Sequence, residues 1–215
     1  MAVKVVTDST SDIPPELAQS LGITVVPCNV NFGTETFKDG VDLSAEEFYE
    51  RLINGPQFPS TSQPSPGDFV ETYERVGDGA DAIVSIHVSA KLSGTYNSAV
   101  QAKEQADIKC PIEVVDSYQA SCGMGVVAIV AAKEASKGAS LEKVAETARS
   151  AAHRAELFFL LNTLEYLQKG GFVIVDDFKA EGDFGSAGWA PFAENMKRVM
   201  PEGRFVDMDT SHPIF

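Results

Sequence analysis

The sequence predicts an α/β protein built on an open, mainly parallel sheet with helices on both faces. Short runs of β-branched residues alternate along the chain with segments of helical length, and glycine or proline marks most of the boundaries. This alternation is typical of parallel βαβ units. Of the 215 residues, 44% are hydrophobic and 22% are charged, which is an ordinary globular composition rather than that of a disordered chain.

The first part of the chain shows the pattern element by element. VKVVTD predicts a strand that ends at Asp8, and PPELAQSLG predicts a helix that stops at Gly22. ITVVPCNVNFGTETFKDG then predicts two or three short strands, bent at Gly33. In DLSAEEFYERLING, Ser44 and Glu47 have the spacing of a capping box, so a helix is expected there.

The segment STSQPSP lies between that helix and the next one. Because Pro64 and Pro66 fix the backbone just after Thr61, we interpret it as a stiff loop rather than as a flexible linker. The alternation then continues to residue 163. Helices are predicted over GDFVETYERV, SGTYNSAVQAKEQA, GMGVVAIVAAKEASKG and SLEKVAETARSAAHRA, and strands over DAIVSIHV, PIEVVDS and LFFLLNT.

Composition narrows the classes of function. The net charge of -14 repels nucleic-acid backbones, so a general nucleic-acid partner is not expected. The three cysteines, Cys28, Cys110 and Cys122, form no CxxC pair, and we expect buried thiols rather than a metal or redox site. The sequence shows neither a signal peptide nor an apolar run of roughly 18 residues, so the predicted location is the cytoplasm. We expect no metal and no cofactor.

Three polar loops follow predicted strands, and ligands of open parallel sheets bind at those strand ends. These loops are TDSTSD, SAKLSGTY and DSYQASCGMG. Ser93 is predicted to cap the following helix, and Gly94 leaves its first N–H groups open, which suits an anionic head group. An ordinary N-cap followed by glycine remains the alternative.

Other chemistries have less support in the sequence. No GxSxG pattern surrounds Ser93, Ser121 or Ser186, and no Walker loop or GxGxxG motif is present. Asp8 and Asp116 each end a strand, where a lone acid more often caps a loop than binds a metal. His87, at the end of a core strand, is expected to be packed, and the glycines at 123 and 125 are expected to allow close helix packing.

Six segments, in this order and spacing, resemble the DegV family: VVTDSTSDIPPELAQSLGITVVPCNVNFG, FKDGVDLSAEEFYERL, TSQPSPGDF, SAKLSGTYNSAV, VVDSYQASCGMG and TLEYLQKGG. The resemblance covers residues 3–171 and implies the family's N-terminal α/β domain over residues 1–171. It also implies a non-enzymatic bacterial protein whose long-chain fatty acid lies between two such domains. Such a protein serves as a fatty-acid kinase subunit and presents the carboxylate to a separate catalytic subunit.

The resemblance also implies a binding site. The threonine of the TSQP motif matches Thr61, and the serine and glycine at the helix start match Ser93 and Gly94. These residues are expected to hydrogen-bond the fatty-acid carboxylate. The other candidates are Ser62 and Gln63, as supports of the loop, and Thr95, as a second donor.

The sequence departs from the family at Phe172. Residues 172–215 form an atypical tail with a strand–helix–strand pattern, FVIVDDF, GWAPFAENMKRV and GRFVDMDTSHPIF, weakly similar to the end of an α/β hydrolase. One alternative is therefore an acyl hydrolase in which His212 works with Ser93 or Ser186. Another is a truncated or recombined chain without measurable activity.

The departure also affects the expected affinity and partners. If the second domain is absent, part of the acyl chain stays in water, and several hundred Å² at roughly 25 cal/mol per Å² would forfeit several kcal/mol. We therefore expect the isolated monomer to bind fatty acid weakly. The uncovered apolar walls predict self-association or contact with a partner, and peripheral membrane contact stays open.

Overall fold

The computed structural model describes residues 2–157. The strands are β1 (Val3–Asp8), β2 (Ile23–Val26), β3 (Asn29–Phe32), β4 (Glu35–Lys38), β5 (Ser60–Ser62), β6 (Ala82–His87) and β7 (Ile112–Asp116). The helices are α1 (Pro15–Leu21), α2 (Ala45–Asn54), α3 (Pro66–Gly77), α4 (Thr95–Gln105), α5 (Ser121–Ala135) and α6 (Leu141–Arg154). A short 3-10 helix, Ser9–Ser11, follows β1.

The main sheet has the strand order β2-β1-β6-β7, and all of its pairings are parallel. Its residues are mostly buried, because helices cover both faces. One core cluster joins the sheet to α1, α5 and α6, and a second joins it to α3 and α4. The predicted fold class, a mainly parallel sheet with helices on both faces, is confirmed.

A second, antiparallel sheet has the order β4-β3-β5. Val30 and Phe32 of β3 pack with Leu43, and Phe48 of α2 joins this small core. The first residues of the STSQPSP segment form β5, an edge strand paired with β3, where we had expected a loop. The sequence does not reveal this strand, because three polar residues show no apolar alternation and the pairing depends on β3.

The ends of the helices follow local sequence rules. Gly22 ends α1 with a φ of 65°, and the predicted capping box between Ser44 and Glu47 is present in α2. A second capping box, not predicted, joins Ser65 to Asp68 at the start of α3. These caps satisfy backbone amides that would otherwise have no partner in the first helical turn.

The predictions for one glycine and for the three cysteines have different outcomes. A Cβ at Gly125 would lie 2.5 Å from the Ser11 carbonyl oxygen, so the predicted close packing of α5 is confirmed at that glycine. Only Cys28 is buried; Cys110 and Cys122 are half-buried, which corrects the prediction of three buried thiols. Both half-buried thiols lie near the ends of elements, where neighbouring segments cover them only in part.

Some predictions lie outside the described residues. They include the strand over LFFLLNT, the domain boundary near Phe172, the strand–helix–strand tail, Ser186 and His212. Within residues 2–157 no helix is both long and apolar enough to cross a membrane. The same part of the chain contains no group of three acidic, histidine or cysteine side chains placed to hold a metal ion.

Candidate functional site

Three loops meet where the parallel strands β1, β6 and β7 end, and hydrogen bonds tie them together. The Ser89 amide donates to the Gln119 carbonyl at 2.9 Å, which joins the loops after β6 and β7. The Ala90 amide donates to Asp116 at 3.3 Å, across the same two loops. The Ser121 hydroxyl donates to Asp12 at 2.5 Å, which joins the start of α5 to the loop after β1. The edge is therefore a braced surface rather than three independent loops.

Asp8, which is fully buried, adds a further link between the loops that follow β1 and β6. One of its carboxylate oxygens accepts the Thr10 amide at 3.1 Å and the Thr10 hydroxyl at 2.5 Å. The other accepts His87 Nδ1 at 2.9 Å and the Val88 amide at 3.2 Å. Asp8 therefore caps the loop that follows β1, as predicted for an acid at a strand end, and it also reaches the loop after β6.

His87 continues inward from Asp8 as a buried chain of polar groups. Its Nε2 lies 2.6 Å from the Ser85 hydroxyl, which in turn accepts the Tyr73 hydroxyl at 2.9 Å. The imidazole packs edge-on against the Phe69 ring, with 4.9 Å between centroids, so the prediction of a packed histidine is confirmed. The residue spacing did not reveal this network, because Asp8 is 79 positions from His87.

The order Asp8–His87–Ser85 is that of a hydrolytic triad, but its surroundings differ from those of an active site. Ser85 and His87 both have 0% of their surface exposed. A nucleophile has to reach the substrate carbonyl, and this hydroxyl, on β6, is buried against Tyr73 of α3. We therefore interpret the hydrogen-bonded series Asp8–His87–Ser85 as a structural network rather than as the catalytic residues of a hydrolase.

The start of α4 differs in detail from the expectation. The N-cap is Gly94 rather than Ser93, and no side chain caps it. Ser93, one residue earlier, accepts the Thr95 amide at 3.2 Å and lies 2.9 Å from the Thr95 hydroxyl. Thr95 is fully buried whereas Ser93 is half-buried. If Thr95 donates to Ser93, the hydroxyl proton of Ser93 is available to a ligand.

Gln63 lies directly over Gly94. Its amide occupies the position that a Cβ at residue 94 would take, and its Nε2 donates to the Ser98 hydroxyl at 3.1 Å. The glycine therefore makes room for Gln63, whereas we had expected it to leave the first helical N–H groups open. This contact anchors the segment after β5 on the first turn of α4.

Thr61 and Ser62 point to opposite faces of the small sheet, because side chains alternate along a strand. Thr61 pairs with Val30 and Ser62 pairs with Asn29. Thr61, opposite Val30, lies on the face of the sheet that carries Val30, and Gln63, two positions further along the chain, contacts the first turn of α4. Both Thr61 and Ser62 are exposed.

An ion pair holds the other end of the same segment. Lys38 lies 2.5 Å from Asp68, whose carboxylate also accepts the amide and hydroxyl of Ser65. Burial raises the pKa of Asp68, but the hydrogen bonds from Lys38 and Ser65 outweigh it and hold the pKa below its usual value. The segment between β5 and α3 is thus fixed at both ends, which supports the predicted stiffness.

Apolar side chains also lie on this edge. Leu92 is 51% exposed beside Ser93, and Tyr118 is 55% exposed in the loop after β7. Tyr118 stacks on His153 at 5.4 Å between ring centroids. The edge therefore combines hydroxyls with exposed apolar surface.

Comparisons with known proteins show the family of this chain. A sequence profile of the DegV family of uncharacterised proteins matches residues 2–174, so the match stops near the departure predicted at Phe172. A profile for a domain of unknown function (DUF4159) matches residues 160–215. A DegV domain-containing protein from Caldanaerobacter subterraneus is 40% identical over 169 residues, which are 79% of this chain and 60% of that protein.

Two solved structures are similar in fold. A DegV family protein from Thermus thermophilus, described by its fatty-acid binding, has a TM-score of 0.68 and 38% identity over 79% of this chain and 60% of its own. The fatty acid kinase (Fak) B3 protein of Streptococcus pneumoniae, loaded with linoleic acid, has a TM-score of 0.60 and 26% identity over 71% and 55%. The chain spans about 60% of the length of the curated relatives it matches.

Proposed function

The chain belongs to the DegV family, and on that premise we propose that it binds a long-chain fatty acid by its carboxylate at the edge formed by Thr61 and the start of α4. The contact of Gln63 with Gly94 and Ser98 is the observation that carries this proposal. It anchors the segment that bears Thr61 to the turn that bears Ser93, so two hydroxyls from distant parts of the chain belong to one edge.

The chemistry of these groups suits a carboxylate. Thr61 and Ser93 each offer a hydroxyl donor, and the positive end of the α4 dipole favours an anion nearby. Neutral donors hold the charge without a buried lysine, whose own desolvation would be costly. Thr95 orients Ser93 through the contact between their hydroxyls. Ser62, on the opposite face of β5 from Thr61, supports the strand.

The exposed apolar residues Leu92 and Tyr118 extend the site beyond the head group. A hydrocarbon chain laid along such surface is stabilised in proportion to the area removed from water. This combination of a polar head-group site with adjacent apolar surface matches a fatty acid better than a short carboxylate.

We further propose that the protein presents its fatty acid to a separate kinase and does not act on it alone. The similarity to the fatty acid kinase B3 protein of Streptococcus pneumoniae supports this role. The sealed position of Ser85 is consistent with binding rather than acyl hydrolysis.

The first experiment is organic extraction of the purified protein followed by mass spectrometry, in which a co-purifying fatty acid is expected. Calorimetric titration of the delipidated protein with oleate should then give saturable binding. Thr61→Ala and Ser93→Ala together remove both proposed hydroxyl donors and should abolish or strongly reduce that binding. Ser62→Ala, a hydroxyl lost from the opposite face of the same strand, is the matched control and should bind as the unchanged protein does.

Two results would contradict the proposal. One is the absence of any oleate binding by the unchanged, folded protein. The other is a Thr61→Ala/Ser93→Ala variant that binds oleate with undiminished affinity, which would leave these hydroxyls a purely structural role.

A further inference from the structure

We propose that His87 is a positioning residue for the head-group site: as a neutral imidazole it holds the Asp8 carboxylate against the loops that follow β1 and β6, and the second of these loops leads to Ser93. The inference rests on the proposed function and names a residue that does not itself touch the ligand. Four hydrogen bonds converge on Asp8, and the buried hydroxyls of Ser85 and Tyr73 continue the network on the other side of His87.

A neutral imidazole with its proton on Nδ1 fits the partners of both ring nitrogens. With a proton on Nδ1, His87 donates to Asp8 and its Nε2 accepts the Ser85 hydroxyl, which itself accepts the Tyr73 hydroxyl. Every proton of this chain then has an acceptor. An imidazolium would donate from both nitrogens, and Ser85, which would then accept both His87 Nε2–H and the Tyr73 hydroxyl, would have no acceptor in this network for its own proton. Such a buried, unpaired donor is costly.

The chain continues from Asp8 to the ligand-binding turn. The oxygen that accepts His87 Nδ1 also accepts the Val88 amide. Ser89 follows Val88 in the chain, and its carbonyl accepts the amides of Leu92 at 2.9 Å and Ser93 at 3.1 Å. A carboxylate held by His87 therefore fixes the start of the turn whose last residue is Ser93.

The other oxygen of Asp8 acts on the neighbouring loop. It accepts both the amide and the hydroxyl of Thr10, while the Ser9 hydroxyl accepts the Cys28 amide at 3.0 Å. Rotation of the carboxylate would release both loops at once, because one rigid group holds both. Loss of the bond from His87 should thus disturb the turn that carries Leu92 and Ser93 more than Tyr118, which lies in the loop after β7.

A matched pair of substitutions separates positioning from general stability. In His87→Asn the amide lies where Nδ1 lies and can still donate to Asp8, whereas in His87→Gln it reaches towards Ser85 instead. Each variant is titrated with oleate and with methyl oleate, which keeps the hydrocarbon chain but lacks the charge.

We expect His87→Gln to lower oleate affinity about tenfold, the loss of about one hydrogen bond to a charged group, with methyl oleate binding nearly unchanged. His87→Asn should keep oleate affinity within about threefold. The proposal is overturned if both variants lose both ligands in parallel, if they lose oleate equally, or if neither loses it.

Two measurements, one on the His87 ring and one on backbone amides, test the role of His87 without any fatty acid. The ¹⁵N shifts of His87 in the unchanged protein should show a protonated Nδ1 and an unprotonated Nε2, and either the other tautomer or an imidazolium would overturn the proposal. Amide hydrogen exchange at Val88 and Ser93 should be faster in His87→Gln than in His87→Asn, and equal rates would refute it. If the unchanged protein binds no oleate, the proposed function fails, while these two measurements still decide the role of His87.

Discussion

Gly94→Ala tests the contact that joins the two halves of the proposed site. The φ of Gly94 is -75° and its ψ is 0°, so alanine meets no backbone strain there. The new methyl group, however, would overlap the side-chain amide of Gln63. Because this amide is the end of a flexible side chain, we expect it to swing away rather than α4 to move.

The magnitude follows from what Gln63 then loses. Its hydrogen bond to Ser98 contributes about 0.5–1.5 kcal/mol, and alanine in place of glycine at an N-cap costs about 0.5 kcal/mol or somewhat more. The free energy of unfolding should therefore fall by about 1–2 kcal/mol. For a chain of this size, each 1 kcal/mol corresponds to a Tm shift of about 2–4 °C.

The assay is a double-mutant cycle read by urea unfolding, with Gln63→Ala as the second change. In the Gln63→Ala background the overlap is gone, so Gly94→Ala should cost only the N-cap difference of about 0.5 kcal/mol or somewhat more. The coupling between the two positions should then be about 1 kcal/mol. Equal costs in both backgrounds would refute the reasoning, because they would show that Gln63 does not lie over Gly94 in solution.

Two further predictions concern ionisable groups. Because the folded-state pKa of Asp68 is lowered, its ionised form stabilises the protein above about pH 4, and this contribution is lost as the pH falls through the folded-state pKa. The stability difference between the unchanged protein and Asp68→Asn, measured by urea unfolding, should shrink steadily below pH 4; a constant difference would contradict the ion pair with Lys38. Burial, and then the charge of Asp8, raise the pKa of Cys28 to about 12, so only about 10⁻⁴ of this thiol is ionised at pH 8. Peptide mass spectrometry should show Cys28 alkylated by iodoacetamide only after unfolding in urea, and rapid labelling of the folded protein would show that the thiol is not buried.

The elements of the fold could be predicted well because their signals are local. The run that ends at Asp8, the stop at Gly22 and the capping box at Ser44 each depend on residues a few positions apart. The alternation of strands and helices also predicts the parallel sheet, since consecutive parallel strands need a crossover helix. The strand Ser60–Ser62 could not be predicted, because its stability depends on pairing with β3.

The residues of the candidate site could also be predicted only in part. The sequence places Thr61, Ser93 and Gly94 beside predicted strand ends and helix starts, and the resemblance to the family gives them a role. It does not show that Gln63 is the reason for the glycine at 94, because the two residues are 31 positions apart and no local rule connects them.

The sequence by itself determined the α/β class, the order of most elements and the polar loops at the strand ends, because hydrophobic periodicity and helix capping act within a few residues. Only the tertiary structure decided the strand order β2-β1-β6-β7 and the buried chain from Asp8 through His87 to Tyr73. Those features depend on residues that are distant in sequence and come together only when the strands pair in the folded protein. The contact between Asp8 and His87 therefore exists only because β1 and β6 are neighbouring strands.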